Sequence, residues 1–305
     1  MSRVDIEQLS AALRRRAAGL GFEPARAERL ADHFLDAELR GARGHGAERM
    51  RWLYGFDDLD PAARPRLEAR GEGLARYHAA GTLGYLALAE ALDAELADPP
   101  TGARLVVVSE CFPTGRLGYF AEQGARAGLL ALVTATSTAR IVHPQGGPPL
   151  LGTNPLCLAL PGGPPTVVDV SMGAVTYGAV LKAHATGAPL PEGALLRGDG
   201  SAESDPAEVI ADRAGIAPFG GEAAHKGFAL ALLVELLCGS LAGLDGHAAA
   251  VLLAQPQADA MAALRPGFGD RRVPGDGGHG RLQASLREGA VELPDDLWRW
   301  LAAAH

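Results

Sequence analysis

The sequence predicts a mixed fold of helices and strands, α/β or α+β, on three observations. Helical periodicity dominates the first hundred residues. Short apolar runs of strand type follow from Leu105 onward, and one long apolar helix occupies residues 227–243.

Taken in order, Leu9, Leu13, Ala17 and Leu20 recur at helical spacing until Gly21, and Glu23-Pro24-Ala25 opens a second helix. In that helix Leu30, Phe34, Ala37 and Glu38 stay in register as far as Arg40, and Gly41 begins the polar turn Ala42-Arg43-Gly44-His45-Gly46. Residues 77–96 carry a third helical pattern, stopped by Asp98-Pro99-Pro100. The period then changes. Leu105-Val106-Val107-Val108, residues 129–133 and residues 166–170 read as buried strands, separated by turns rich in glycine and proline. Residues 186–222 and 266–280 read as loops, and mixed structure with Trp298 and Trp300 follows Leu282.

Composition narrows the function. The 305 residues hold 28 Lys+Arg against 36 Asp+Glu, a net charge of −8, which argues against nucleic acid as a partner. Cys111, Cys157 and Cys238 are far apart and form no CxxC, so neither a disulfide framework nor a structural metal site is expected, and a reducing cytoplasm fits best. The N-terminus lacks the apolar core of a signal peptide. Glu235 interrupts the 227–243 run, so a buried helix is expected there and no membrane span. Lys182 and Lys226 are the two lysines of the chain, the other basic residues being arginines, which makes a lysine placed in a motif easy to weigh.

GxxxxGK[ST] does not occur, so a P-loop is excluded, and no GxGxxG directly follows a strand-type apolar run, so a Rossmann fingerprint is not expected. What remains are glycine turns beside strands, Gly152-Thr153-Asn154-Pro155 and Asp169-Val170-Ser171-Met172-Gly173, whose backbone N–H groups could approach phosphate. Either one alone is also an ordinary turn. No carboxylate pair, HExxH or Ser–His–Asp order suggests hydrolysis or metal chemistry.

In combination these stretches resemble the type-2 malate/L-lactate dehydrogenase family, which also contains ureidoglycolate dehydrogenases, diketogulonate reductases and cyclic imino-acid reductases. Gly44-His45-Gly46-Ala47-Glu48-Arg49 is similar to its (Ser)-His-Gly-x-x-Arg motif. Gly146-Gly147 with Leu151-Gly152-Thr153-Asn154-Pro155 is similar to its GG…LGTNP segment, and Val168-Asp169-Val170-Ser171-Met172 to its nucleotide-contacting strand end. Pro218-Phe219-Gly220-Gly221 and His225-Lys226-Gly227-Phe228-Ala229-Leu230 resemble its entry to a long helix, and Val273-Pro274-Gly275-Asp276 its late turn. The resemblance runs from about residue 5 to residue 295.

It implies a non-Rossmann NAD(P)-binding fold with a mainly antiparallel sheet, N-terminal helices and a long buried helix near 227–243, working as a homodimer. Residues 1–100 would form a helical part contributing to the substrate site, 101–245 the NAD(P)-binding part, and 246–305 a part packing back on the first. The implied activity is NADH- or NADPH-dependent reduction of a small 2-oxo or 2-imino acid, or the reverse oxidation. Gly152, Thr153, Asn154, Asp169, Val170, Ser171, Met172, His225, Lys226, Gly275 and Asp276 would border the cofactor.

Such a reaction must hold a carboxylate, place the cofactor over the carbon and deliver a proton to the heteroatom. Arg49 suits the first task, since guanidinium grips a carboxylate through two parallel hydrogen bonds. His45 suits the proton, and its spacing from Arg49 would put both on one face if the stretch is helical. The chain departs from the family where Ser-Asn-His-Phe-Gly is expected. It reads Ser109-Glu110-Cys111-Phe112-Pro113-Thr114-Gly115, with Cys111 at the histidine position and a two-residue insertion. A thiol, with a reference pKa of about 8.5, is a poorer acid than imidazolium near neutral pH. Three readings follow: His45 alone donates the proton while Cys111 shapes the pocket; the substrate is a C=N compound that brings its own proton; or the chain is a catalytically silent nucleotide-binding homologue. The second is favoured among reactions, and packing is the plain alternative for Cys111.

Overall fold

The computed structural model describes residues 1–243 and 246–303. The first unit is helical because its apolar residues repeat on one face. Strand β1 (Ser2–Asp5) leads into α1 (Ile6–Gly19), whose start is capped by Asp5, the carboxylate accepting the N–H groups of Glu7 and Gln8 at 2.8 and 3.1 Å. Helix α2 (Pro24–Leu39) places its proline in the first turn and stops before Gly41, and α3 (Glu48–Leu53) is a short helix beyond the turn Arg43–His45. Leu9, Leu13, Leu30, Phe34, Met50 and Leu53 close into one core.

The second unit is a seven-stranded sheet. Strands β2 (Arg66–Arg70) and β3 (Leu74–His78) form a hairpin, and α4 (Gly84–Ala97) crosses over to β4 (Ala103–Ser109), parallel to β3. Helix α5 (Leu117–Arg126) is followed by β5 (Leu130–Ala135), β6 (Leu156–Leu160) and β7 (Thr166–Val170). Next come α6 (Tyr177–Thr186), β8 (Leu195–Arg197), β9 (Ala202–Glu203), α7 (Pro206–Ile210) and β10 (Ala214–Ile216), the three strands making a small separate sheet. Helix α8 (Ala224–Ala242) leads to β11 (Ala248–Ala254), and α9 (Ala260–Phe268), α10 (Asp276–Glu288), β12 (Ala290–Leu293) and α11 (Asp295–Ala302) finish the chain.

The large sheet runs β2-β3-β4-β11-β5-β6-β7, and apart from the β3–β4 pair its described neighbours are antiparallel, as expected. Period-two alternation splits its faces. Val106, Val108, Val251 and Leu253 point to the core under α4 and α5, whereas Leu105, Ala248 and Ala250 point to α8. β12 pairs with β1, and Leu297 and Leu301 of α11 enter the N-terminal core.

Four expectations need correction. The long helix is not buried all round: Gly227, Ala231, Val234 and Cys238 face the fold, while Leu233 and Leu236 are 55% and 59% exposed, with Leu230, Leu232 and Leu237 beside them. One sheet can cover only one stripe of a helix that is apolar on every side. By length and composition Gly221–Ala242 could also cross a membrane. The third helix starts at Gly84, because Ala75 and Tyr77 alternate inward with Arg76 outward as part of β3. Residues 186–222 hold β8, β9, α7 and β10, which pack Leu195, Val209 and Ile216 against Val180. Residues 266–280 hold the end of α9 and the start of α10, whose glycines and proline hid their helical state from propensity alone.

One buried carboxylate ties α4 to the sheet. Glu95, without solvent exposure, accepts from Tyr77 Oη at 2.6 Å, Arg70 Nη2 at 2.6 Å and Arg104 Nη1 at 2.7 Å. Removing it leaves the buried Arg104 with only the exposed Asp98 carboxylate, at 3.8 Å, as counter-charge. Glu95→Ala is expected to cost about 3–5 kcal/mol in urea unfolding, and a loss below about 1 kcal/mol would mean that the cluster contributes no more than a surface pair.

Candidate active site

The turn after α2 carries His45, and the start of α3 carries Arg49. The course of the turn is set from α2: the Glu38 carboxylate, 6% exposed, accepts the Ala47 N–H at 2.8 Å. A Cβ at Gly46 would overlap that carboxylate, so only glycine lets the chain pass. Burial pushes Glu38 up to about 7, although the Ala47 N–H and the Arg43 charge pull the other way. The expectation of one helical face for His45 and Arg49 is corrected here. His45 ends a 3₁₀ turn and Arg49 lies in α3, with Gly46 breaking the helix between them.

They are nonetheless brought together. Arg49 Nε donates to the Gly44 carbonyl at 2.8 Å and its guanidinium lies 5.2 Å from the Trp52 ring centroid, leaving both terminal nitrogens without a partner among the described residues. His45 keeps some surface contact with solvent, yet its dense surroundings hold it down to about 4, and the charges of Arg49 and Arg116 act in the same direction. His45 is thus held toward its neutral form, by burial first and by the two guanidinium charges second.

Sequence reasoning missed the groups behind this pair. Arg116 reaches Asp36 with Nε and Nη2 at 3.1 and 2.6 Å. His33, 2% exposed, accepts the Arg116 N–H at 3.2 Å through Nε2, which puts its proton on Nδ1, a buried atom with no partner. Burial holds His33 well below its usual value, with Arg116 and His45 adding to the effect. Glu38 had left a signal: it sits in the apolar register of α2, where a carboxylate faces inward. His33 and Arg116 left none, because their roles depend on the contact between α2 and the turn before α5.

Cys111 is placed in the core and not in an open cleft. It is fully buried among the residues beneath α4 and α5, its Sγ lies 3.7 Å from the Gly84 carbonyl, and its N–H donates to the His247 carbonyl at 2.7 Å. Burial raises the thiol pKa, with Cys238 adding to the rise.

The expected cofactor residues fall into three groups. Thr153 and Met172 are joined by the Met172 N–H to the Thr153 carbonyl at 2.9 Å, and Phe219 N–H donates to the Met172 carbonyl at 3.0 Å, so three separate motifs converge with Gly152 and Ser171 beside them. Asn154 stands under α8, donating to the Ala231 carbonyl at 2.9 Å and Glu235 Oε2 at 2.7 Å, while its buried Oδ1 has no donor. His225 and Lys226 lie exposed in the first turn of α8, just after Gly220 and Gly221, whose φ values are +118° and +56°. Asp169 and Val170 form the second group at the free edge of the sheet, where Asp169 Oδ2 accepts the Gly118 N–H at 2.9 Å. Gly275, packed on the Val167 carbonyl, and Asp276, which accepts the Val273 N–H at 3.1 Å, form the third. The cofactor side meets the His45 turn where Gly44 and Gly178 touch backbone to backbone, a Cβ on Gly178 falling 2.9 Å from the Gly44 Cα.

This set fits a nicotinamide dinucleotide. Successive positive-φ glycines at a helix start expose backbone N–H groups, and Lys226 beside them has no carboxylate partner among the described residues, a donor set suited to a diphosphate. Among the described residues no group of His, Cys, Asp and Glu could hold a metal ion.

Known proteins resemble the chain in sequence and in fold. The family model described as malate/L-lactate dehydrogenase matches residues 4–264, a stretch that leaves out the Val273–Asp276 turn. The chain is 33% identical over 233 residues to the Delta(1)-pyrroline-2-carboxylate/Delta(1)-piperideine-2-carboxylate reductase of Pseudomonas putida, covering 74% of this chain and 67% of that protein. It is 29% identical over 228 residues to the malate/(S)-sulfolactate dehydrogenase of Methanothermus fervidus, covering 73% and 66%, so the alignment spans about two thirds of these relatives' length. The crystal structure of delta1-piperideine-2-carboxylate reductase from Pseudomonas syringae superposes with a TM-score of 0.84 at 26% identity over the whole of both chains. A dehydrogenase from Sinorhizobium meliloti gives 0.87 at 28% identity, over 99% of this chain and 98% of that one.

The buried carboxylate gives a pH signature. A carboxyl group raised from 4.5 to about 7 binds more protons folded than unfolded between those values, so its ionisation removes stability as pH rises through that window. His45, depressed from 6.5 to about 4, acts oppositely: stability is lost as pH falls below 6.5. Glu38→Gln keeps an acceptor for Ala47 and is expected to raise stability at pH 8 by on the order of 3 kcal/mol, with little change at pH 5. Thermal unfolding at the two pH values checks this, and an equal effect at both would refute it.

Proposed function

The chain belongs to the malate/L-lactate dehydrogenase family, and from that premise we propose an NADH- or NADPH-dependent reductase of a small 2-oxo or 2-imino acid, with C=N reduction favoured. The observation that carries the reading is Arg49, steered by Gly44 and Trp52 with its terminal nitrogens unpaired, beside a neutral His45. Arg49 binds the substrate carboxylate through two parallel hydrogen bonds. That anion offsets a charge which depresses His45, so its imidazole holds a proton more readily once substrate is bound. Lys226 and the N–H groups of Gly220 and Gly221 would hold the cofactor diphosphate. Gly152, Thr153, Asn154, Ser171 and Met172 would line its path, with Asp169, Val170, His225, Gly275 and Asp276 around it. When bound, the cofactor supplies a hydride to the carbon of the C=O or C=N group.

Two outcomes divide the chemistry. A ketone needs a proton at its oxygen, and His45 would give it once the bound carboxylate lets its imidazole hold one. A protonated imine needs none, because hydride addition to C=N⁺ leaves a neutral amine. Cys111, sealed in the core, packs and takes no part in proton transfer. Relatives named as pyrroline- and piperideine-2-carboxylate reductases stand beside others named as malate, lactate and sulfolactate dehydrogenases, so both substrate classes occur among them. Three free, buried thiols suit a reducing cytoplasm.

The test is oxidation of NADH and of NADPH, followed by absorbance, with pyruvate, oxaloacetate, 2,3-diketogulonate and a cyclic imino acid. Turnover is expected to be highest with the imine. Arg49→Lys is expected to lower kcat/KM about a hundredfold for every substrate. His45→Ala is expected to cost a ketone about 10²-fold or more and the imine less than about tenfold. Cys111→Ala should leave both rates within about twofold. Tight nucleotide binding with no turnover of any compound would replace the reading with that of a silent homologue.

The exposed leucines of α8 support a homodimer, since an apolar stripe of this size is normally covered. Light scattering is expected to give twice the 31.5 kDa chain mass, and Leu233→Glu with Leu236→Glu to halve it. A wild-type monomer would rule the dimer out.

A further inference from the structure

Between Gly227 and Gly243 the chain carries one charged side chain, Glu235, which the proposed reduction leaves without a task. A half-buried carboxylate in an apolar helix costs desolvation that a leucine would not. Ala231, Glu235 and Cys238 follow at helical spacing, and Ala231 and Cys238 have no exposure, so Glu235 sits on the stripe turned to the fold.

What the carboxylate meets there is Asn154. This residue is fully buried, with its backbone in the left-handed region at φ +35°. Its amide nitrogen donates to Glu235 Oε2 at 2.7 Å and to the Ala231 carbonyl, one helical turn earlier, at 2.9 Å. Both amide protons are thereby used. The rest of the turn is fixed from the other side. Thr153 N–H donates to Ser137 Oγ at 3.2 Å, Met172 N–H to the Thr153 carbonyl at 2.9 Å, and Thr134 Oγ1 to the Pro155 carbonyl at 2.7 Å. Asn154 therefore joins a turn already anchored to the sheet with the middle of α8. The start of α8 is set against Phe219, because a Cβ on Gly227 would fall 2.4 Å from the Phe219 carbonyl oxygen. Lys226 stands beside that contact, about 13 Å along the helix axis from Glu235.

We infer that Glu235 is a positioning residue for the cofactor. By holding Asn154 it sets the Gly152–Thr153 turn against the start of α8, so that the groups on both sides meet one dinucleotide together. It acts through Asn154 and not by touching the cofactor. The inference rests on the cofactor site of the reductase reading and deepens it, since it ties that site to the interior of α8.

The experiment compares wild type with Glu235→Ala, Glu235→Gln, Asn154→Ala and the double variant of Glu235→Ala with Asn154→Ala. Affinity for NADH and for NADPH is read by fluorescence titration of the protein without substrate, and KM and kcat are measured beside it with a cyclic imino acid. Glu235→Ala is expected to weaken binding of the tighter cofactor, and to raise its KM, by about tenfold or more. Its kcat at saturating cofactor and its KM for the acid should stay within about threefold. Glu235→Gln keeps an oxygen to accept from Asn154 and is expected to restore affinity to within about threefold of wild type. The double variant is expected to bind as Asn154→Ala does, because the two residues act as one unit. A merely structural role would instead lower the folded fraction, and with it kcat, without moving the cofactor KM. If Glu235→Ala does not fold, Glu235→Leu is read in the same way. Cofactor affinity as in wild type would overturn the inference and leave the reductase reading standing, as would additive losses in the double variant. Should wild type bind neither NADH nor NADPH, the cofactor site would fall and the inference with it.

Discussion

The His45–Arg49 segment can follow only one course because Glu38 occupies the space on its inner side. The carboxylate accepts the first N–H after Gly46, and the absence of a side chain at Gly46 allows the approach. From that contact the rest of the site follows. α3 begins at Glu48, Arg49 turns back to the Gly44 carbonyl, and Gly44 meets Gly178 from the opposite side. A buried carboxylate raised to about 7 is an unfavourable group to keep. Its retention makes sense where a fixed turn matters more than stability at high pH.

The cofactor side is assembled differently. No single residue governs it. Thr153, Met172 and Phe219 come from three stretches of chain, and backbone hydrogen bonds join them into one surface at the entry to α8. Backbone recognition tolerates side-chain change, so a site of this kind is written in the positions of glycines and turns more than in charged residues. Arg49 and Lys226 are the exceptions, cations without a carboxylate partner among the described residues and so suited to the anions proposed for them.

Legibility in the sequence followed the same division. The strands near 105, 130 and 166 and the helices through Leu9 and Leu30 could be read because their apolar residues keep a period. Residues 186–222 could not, because short strands and a one-turn helix among glycines and prolines carry no period long enough to detect. In the site, His45, Arg49 and the LGTNP stretch stood out by motif. His33 and Arg116 did not, since both act through contacts between segments roughly 80 residues apart that spacing does not encode. Cys111 was marked by its departure from a motif, and only its surroundings tell that it packs.

The position of β11 bears on how the chain is made. It lies between β4 and β5, strands more than a hundred residues earlier, and hydrogen-bonds to both along their length. β4 and β5 leave the ribosome early, each with an unpaired edge, and cannot zip to one another without excluding the strand that belongs between them. The nascent chain must therefore hold a gap open until residue 254 has emerged, a high contact order that places sheet closure late in synthesis and exposes two apolar edges meanwhile. Late closure is thus a property of this strand order, independent of the chemistry the finished sheet supports.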